Sequence, residues 1–388
     1  MGLCKPSYPI KFSELGNPAP VEGRFLRRLN RFVAEVMVDG ETAEAHLPNP
    51  GRLLELLFPG QTVYLLPSQG AKRYKIHGTL RNGDFVHLDT VRMNRVAEAL
   101  IDRGLIPQLE GFRVTAREVR YHHSRFDLLL EGPSSPMVLE VKCCTLFNSL
   151  AAFFPDAPSE RGTKHLRHLA EMDHMEKGVL FLVQSTAPKA FLPDWHTDPD
   201  FAGAFVEASK RGVRLMAAGI SMSPSLELLA EPVEIPIPIE PAIPHMADRG
   251  SYCVIMKLEE DTDAEVGALG VIRFERGYYV YVGSGMGGLT SRMARHLRGH
   301  KTMRWHVDYL SSLCTAKRAF PIRADLRLEC LLADRMARLG GRGIARFGSS
   351  DCGCESHLFH FQEDPSTQVF EAVLHIRSLI GLGCPVKP

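Results

Sequence analysis

The sequence predicts a multi-domain protein of β and α/β class: a small β barrel, then an α/β unit, then a C-terminal α+β unit. Three observations carry this. The first hundred residues break into short alternating segments separated by Gly-rich turns, the pattern of a small barrel. From Met93 helical and strand patterns alternate, the mark of an α/β layer. Residues 231–244 read EPVEIPIPIEPAIP, with prolines at 232, 236, 238, 241 and 244. Each proline lacks an amide donor and restrains its predecessor to extended geometry, so a semi-rigid linker is expected.

Taken in order, residues 31–38 alternate and then meet Asp39-Gly40, a hairpin signal. Strands are expected at 61–66, 73–79 and 85–90, the last two separated by Asn82-Gly83-Asp84. A helix begins near Met93, and a strand follows near 114–120. Two further strands, 126–131 and 137–142, flank Gly132-Pro133-Ser134-Ser135-Pro136. A helix at 163–176, a strand at 178–183, a helix at 201–211 and a strand at 213–218 complete the second unit. Beyond the linker, 252–258 and 278–284 read as strands, and 289–297 and 326–339 as amphipathic helices. The expected domains are therefore 1–92, 93–230 and 250–388, joined by a linker at 231–249.

Composition narrows the function classes. The 388 residues are 45% hydrophobic and 23% charged, which excludes wholesale disorder. No run approaches the ~20 apolar residues needed to cross a bilayer, so no membrane partner is expected. The N-terminus lacks the features of a secretory signal. Nine cysteines, an odd number, argue against a disulfide framework and for a reducing, cytoplasmic setting. Net charge is only +1. Oligomeric state is not legible.

The sharpest local signal is Asp127 followed by Glu140-Val141-Lys142. Residues two apart on a strand share a face, so Glu140 and Lys142 project together. Asp127 on the preceding strand meets them if the connecting loop holds an even number of residues, for example 132–135. Two carboxylates and one amine in a small volume are what phosphodiester hydrolysis requires. The carboxylates hold Mg or Mn through hard oxygens, and a partly desolvated lysine orients or activates water. Glu118, one strand earlier, would supply a further ligand. On spacing alone, an ordinary exposed strand face explains the same residues equally well.

The stretches FLRRLNRFVAEV (25–36), AHLPNPGRLLELLFPG (45–60), HSRFDLLLE (123–131), LEVKCCTL (139–146) and FFPDAPSERGTKHLRHL (153–169) resemble the sugar fermentation stimulation protein A (SfsA) family. That resemblance implies an N-terminal OB-fold joined to a PD-(D/E)xK-type nuclease domain. It implies a metal site at Asp127 and Glu140, with Lys142 as the catalytic amine and Glu118 as an extra carboxylate. Cys143-Cys144 departs from the family's usual residues and adds a redox or packing role. Within 153–169, Ser159 or Thr163 would cap a helix, leaving Arg161 and Lys164 to grip phosphates. His165 reads as either a core or a site residue, and His122-His123 as structural. On the barrel, an OB-fold binds single strands through cations and aromatic faces. Arg31, beside Phe32, and Arg52, in the Pro48–Arg52 turn, are the expected phosphate contacts.

From Arg292 to Arg346 the chain carries 13 Lys and Arg against 4 Asp and Glu, a footprint for a polyanion. Here YVYVGS, RHLR, WHVDYL and FGSSDCGCESHLF resemble a little-characterised domain family related to GIY-YIG endonucleases. Carried over by position, Tyr252 and Tyr281 would position or activate water and Arg292 would stabilise phosphate charge. His296 would assist proton transfer, and Glu329 would hold a divalent metal. Two departures stand out: the first motif reads Gly-Ser-Tyr, and an acidic insertion separates the two strands. Cys352, Cys354 and His357, with Cys330 or Cys314 as a fourth ligand, read as either a zinc site or unligated buried thiols.

The whole points to a metal-dependent nuclease acting on DNA or RNA. The alternative is a non-catalytic DNA-binding regulator of sugar-utilisation genes.

Overall fold

The structure is a computed structural model that describes residues 7–16, 18–121, 123–173, 175–299, 302–349 and 352–386. The N-terminal segment read above, His122, and Ser350-Asp351 of the cysteine-rich motif lie outside the described residues. Contacts divide the chain into two compact units, Met1–Ile239 and Glu240–Pro388.

Unit one opens with a strand that the hydrophobic pattern did not reveal. β1 (Val21–Asn30) runs through Arg27 and Arg28, which the sequence places before the first strand. Only Gly23 and Phe25 of its ten residues are buried, so it carries almost no alternation to read. β1 pairs antiparallel with β2 (Val33–Val38), and β2 pairs with β3 (Glu41–His46). β4 (Thr62–Pro67) joins β1 to β5 (Tyr74–Arg81). A parallel contact of β3 with β5 at Ala45 and Tyr74 closes the five strands into an OB-like barrel. The strand expected at 85–90 is β6 (Asp84–His87). It stops there because the Asp89 side chain accepts from Arg92 N and caps α1 (Thr90–Asp102).

The α/β layer follows. Its strands are β7 (Arg113–Tyr121), β8 (Ser124–Glu131) and β9 (Met137–Cys144), then the short β10 (Leu146–Phe147) and β11 (Ala151–Phe154). Next come α2 (Glu160–Ala170), β12 (Glu176–Val183), β13 (Ala190–Pro193), α3 (Pro199–Lys210), β14 (Arg214–Gly219) and β15 (Val233–Glu234). The main sheet runs β15-β14-β12-β9-β8-β7, with β9 antiparallel to β8 and parallel to β12. One face packs on α1 through Met93, Val96 and Leu100 against Leu139, Val141 and Leu180. On the other face, Val138, Phe181 and Phe205 share one continuous core with Phe25, Val36 and Leu65 of the barrel.

The proline-rich segment is not a free linker along its length. Val233 and Glu234 pair with Gly219 and Ala218 as an edge strand. Ile235 is buried, and the Pro236 carbonyl accepts from Phe191 N at 2.8 Å. Proline fits here because an edge strand leaves one side of its ladder unused.

Two histidines under the barrel are buried in a way that makes unit one sensitive to acid. His77 and His87 lie with ring centroids 4.9 Å apart. Their Nε2 atoms donate to the carbonyls of Pro224 (2.8 Å) and Ser223 (3.1 Å). Burial lowers both from the ordinary imidazole value of 6.5, His87 well below it. The unfolded chain therefore binds protons that the native state refuses. The stability held above pH 6.5 is lost as pH falls toward the native values. In urea titrations of unit one between pH 7 and pH 5, His87→Phe should show a shallower pH dependence than the unsubstituted chain.

Unit two is built on a five-stranded sheet. β16 (Gly250–Leu258) is followed by the acidic insertion, which folds as a hairpin of its own, β17 (Thr262–Glu265) with β18 (Val271–Phe274). β19 (Gly277–Ser284), α4 (Leu289–Leu297), α5 (His306–Leu313), β20 (Ala316–Arg323) and α6 (Glu329–Arg338) come next. The expected helix start at 326 moves to Glu329. β21 (Arg342–Gly343), β22 (Leu358–Phe361) and α7 (Ser366–Gly381) end the unit. α7 brings Arg377 into the interior, where it donates to the Pro321 carbonyl.

Two candidate active sites

The first site grows from the β8–β9 hairpin. Six residues, 131–136, lie between the last paired residues, the even number expected, and the register runs Leu130–Met137, Leu129–Val138 and Leu128–Leu139, one pair short of Asp127 opposite Glu140. There the backbone ladder stops and a side chain takes over. Asp127 Oδ2 accepts from Val141 N at 2.9 Å, and its Oδ1 accepts from Asn94 Nδ2 on α1 at 3.0 Å. Glu140 is only 2% exposed. Its Oε1 is held by Lys142 Nζ and by His165 Nδ1 of α2, the latter at 2.6 Å. Its Oε2 is buried and has no hydrogen-bond partner among the described residues.

The electrostatics follow from this crowding. Burial and the Glu140 charge push Asp127 up from 3.8 to about 6, against the pull of Val141 N–H, Lys142 and Arg161. Glu140 stays below the usual range, since His165 and Lys142 outweigh its burial. The folded pKa of Asp127 is raised, so ionising it costs stability above pH 6, and that cost vanishes below 3.8, where both states are protonated. Asp127→Asn should therefore raise the thermal midpoint at pH 8 by an amount worth of order 1 kcal/mol, with no gain at pH 3.5. Scanning calorimetry at the two pH values checks this.

A cleft of about 390 Å3 lies beside α2, lined by His123, Ser124, Arg125, Arg161, Lys164 and His165 among others. Arg161 and Lys164 thus share this cleft with His165, the residue that holds Glu140. α2 starts at Glu160 because Ser159, not Thr163, is its cap, accepting from Gly162 N at 3.1 Å. Glu118 is not gathered in. It is 68% exposed at its side chain and pairs with Arg125 at 3.3 Å. Cys143 and Cys144 are packing residues: burial pushes the Cys143 thiol up to about 12 and raises Cys144 as well. A raised thiol is a poor nucleophile, which favours the packing role over the redox one.

The turn at 48–52 is built into this site's surroundings. Arg28 donates to the carbonyls of Asn49, Gly51, Arg52 and Arg31. Asp156 presses on the turn so closely that a Cβ on Gly51 would lie 2.1 Å from its Oδ2. Arg52 and Arg31 remain exposed. The Arg31 guanidinium lies 5.8 Å from the Phe32 ring, which is 48% exposed. Phe32 borders a second groove with His46, Lys75, Arg92 and Arg95. Sequence reasoning missed Asn94 and Asp156. No local motif marks the first, and the role of the second depends on a turn about a hundred positions earlier in the chain.

In unit two a cavity of about 360 Å3 is lined by Tyr252, Tyr281, Arg292, His296 and Glu329, together with Trp305 and Gly348. All five residues named from the sequence are therefore brought together. Tyr252 OH is 2.9 Å from His296 Nε2. Burial and the neighbouring Tyr281 raise the Tyr252 phenol, so it stays protonated. Gly283 makes room for it, since a Cβ there would come within 2.5 Å of the phenol oxygen. Arg292, Arg295 and Arg304 surround the Trp305 indole at 4.7, 4.6 and 5.6 Å. Arg298 joins Arg292 and Arg295 along an adjoining groove floored by Gly285, Gly287 and Gly288. Cys330, Cys352, Cys354 and His357 also converge, whereas Cys314 is not in that group.

Comparison with known proteins covers both units. Residues 26–86 match the SfsA N-terminal OB domain, and 91–226 match the sugar fermentation stimulation protein RE domain. Residues 251–378 match a domain of unknown function, DUF123. A sugar fermentation stimulation protein homolog of Desulforamulus reducens is 36% identical over 214 residues, spanning 54% of this chain and 90% of its own. The chain belongs to the sugar fermentation stimulation protein family. Another homolog of that name, from Clostridium tetani, is 40% identical over 199 residues, 50% of this chain and 86% of its own. The solved structure of Pyrococcus furiosus SfsA in complex with Ca2+ aligns with a TM-score of 0.52 and 31% identity. It covers 57% of this chain and 98% of that one. This SfsA-family chain thus adds a DUF123 unit to a body that spans nearly the full length of those relatives. Among its described residues no helix is long and apolar enough to cross a membrane.

Proposed function

We propose that the protein is a metal-dependent nuclease of the PD-(D/E)xK type that hydrolyses phosphodiester bonds in DNA or RNA. One observation carries this reading: the buried Asp127–Glu140 pair, with Glu140 Oε2 unsatisfied and Lys142 against its other oxygen, beside a cleft bearing Arg161 and Lys164. An unsatisfied buried carboxylate oxygen next to a second acid is costly without a cation. Hard oxygen donors suit Mg2+ or Mn2+. The P. furiosus relative was solved with Ca2+, another oxygen-preferring cation.

Asp127 and Glu140 would hold the metal, which when bound supplies charge neutralisation at the scissile phosphate. Asn94 and the Val141 amide orient Asp127, and His165 orients Glu140. Lys142 orients the attacking water, and Arg161 and Lys164 hold the flanking phosphates. The barrel's Arg31, Arg52 and exposed Phe32 receive the strand by ion pairing and stacking. In unit two, Arg292 and its neighbours around Trp305 bind phosphate. Tyr281 and the Tyr252–His296 pair position water, and Glu329 would hold a second divalent cation.

The test is a panel of single-stranded, duplex and branched DNA and RNA, with Mg2+, Mn2+ and EDTA. Glu140→Gln and Glu329→Gln are assayed separately, to assign cleavage to a unit. Metal-independent binding to one operator sequence, with no cleavage under any condition, would instead establish the regulator.

A further inference from the structure

We propose that unit two holds one structural zinc ion through Cys330, Cys352, Cys354 and His357. Cys330 is the second residue of α6, and the other three lie on the segment between β21 and β22. One ligand atom from each of the four lies within 4.8 Å of the other three. Cys352 Sγ and His357 Nε2 are 3.4 Å apart. Ligand atoms on a tetrahedral zinc, with Zn–S of ~2.3 Å, sit ~3.8 Å from one another. The cluster is therefore already near the shape of a coordination shell. Three sulfurs and one imidazole make the closed set of structural zinc sites, with no position left for water. Soft thiolates select zinc over the oxygen-preferring cations expected at the acidic sites.

The surroundings say what such an ion would do. The described residues between Gly343 and Leu358 form neither helix nor strand. They are held by a few backbone bonds, among them Arg346 N to Glu355 O and His357 N to Phe347 O. His357 is buried, and its carbonyl accepts from Val282 of β19 at 2.9 Å. Phe347 anchors one end of this segment in the core, and a metal cross-link would fix the cysteine-bearing stretch beyond it. It also reaches the cavity of the unit from two sides, because Cys330 follows Glu329 in sequence and Gly348 lines the same cavity. Zinc thus pins the start of α6 and the loop facing it. The assignment does not depend on nuclease activity, since its readouts are metal content and ligand spectrum.

The full chain, expressed in zinc-replete medium and purified under reducing conditions without chelator, should carry one zinc per molecule by elemental mass spectrometry. A mercurial thiol reagent should release it to a chromogenic zinc indicator. Cobalt-exchanged protein should show thiolate-to-cobalt charge transfer and the intense d–d bands of a tetrahedral site. Cys330→Ser, at an exposed position that leaves the core untouched, and Cys352→Ser should reduce zinc content to roughly a tenth or less. Cys314→Ser should retain it, with circular dichroism confirming that each variant is folded. Zinc-free protein from that preparation would overturn the proposal. So would a cobalt spectrum without thiolate character, or full zinc retention in folded Cys330→Ser.

Discussion

Lys142→Ala should lower metal-dependent cleavage by ~10²- to 10⁴-fold, the usual scale for losing a positioned proton-transfer or water-orienting group. Nucleic-acid affinity should stay within a factor of two or so, since Arg161, Lys164, Arg31 and Arg52 are untouched. Lys142 is 17% exposed at its side chain and lies against a Glu140 that is almost wholly buried. Its removal leaves that carboxylate with His165 alone, which costs stability as well as rate. Three measurements separate the effects: single-turnover cleavage, filter binding in EDTA, and the thermal midpoint. Lys142→Arg should restore much of the midpoint by keeping a cation there. It should not restore the rate, because a broad planar guanidinium cannot hold water where the compact ammonium does. Full-rate cleavage by folded Lys142→Ala would remove the amine from the chemistry.

Gly250→Ala should unfold or severely destabilise unit two, by roughly 3 kcal/mol or more. Gly250 starts β16 at a φ of +143°, a conformation that side chains rarely adopt. A Cβ there would lie 2.0 Å from the Ile322 carbonyl oxygen and 2.9 Å from Ala324 N. Both are backbone atoms of β20 and the residues just after it, so no side chain can swing aside. The Gly250 carbonyl also accepts from Gly285 N at 2.8 Å, tying the strand to the glycine loop that enters α4 and Arg292. Calorimetry of the full chain should show the unit-two transition lowered or lost, with that of unit one nearly unchanged. A substituted protein with both transitions intact would contradict the backbone argument.

The barrel and the α/β layer were readable in the sequence where strands are half-buried and alternate, as at 33–38 and 62–67. β1 was not, because eight of its ten residues are not fully buried, and a strand whose outer face is arginine carries no hydrophobic period. The acid–amine trio was legible from two-residue strand spacing and the SfsA resemblance. Glu118 failed because a one-strand neighbour in sequence need not aim its side chain inward. It has a positive φ of 52° and faces Arg125. Asn94 was invisible because its partner is 33 positions away. The five unit-two residues came from motif position alone, and the acidic insertion did not displace them because it folds into its own hairpin.

Phe25 and Val36 share an interior with Val138 and Phe181, so the barrel and the layer that carries the acid pair are packed as one piece. On the nuclease proposal, the span from the Phe32 ring to the acid pair would then be fixed, like the gap between a vice and its saw. A polymer seated on the aromatic ring would meet the chemistry at a constant nucleotide offset. End-labelled substrates should then yield a narrow ladder of fragment lengths rather than a continuous smear.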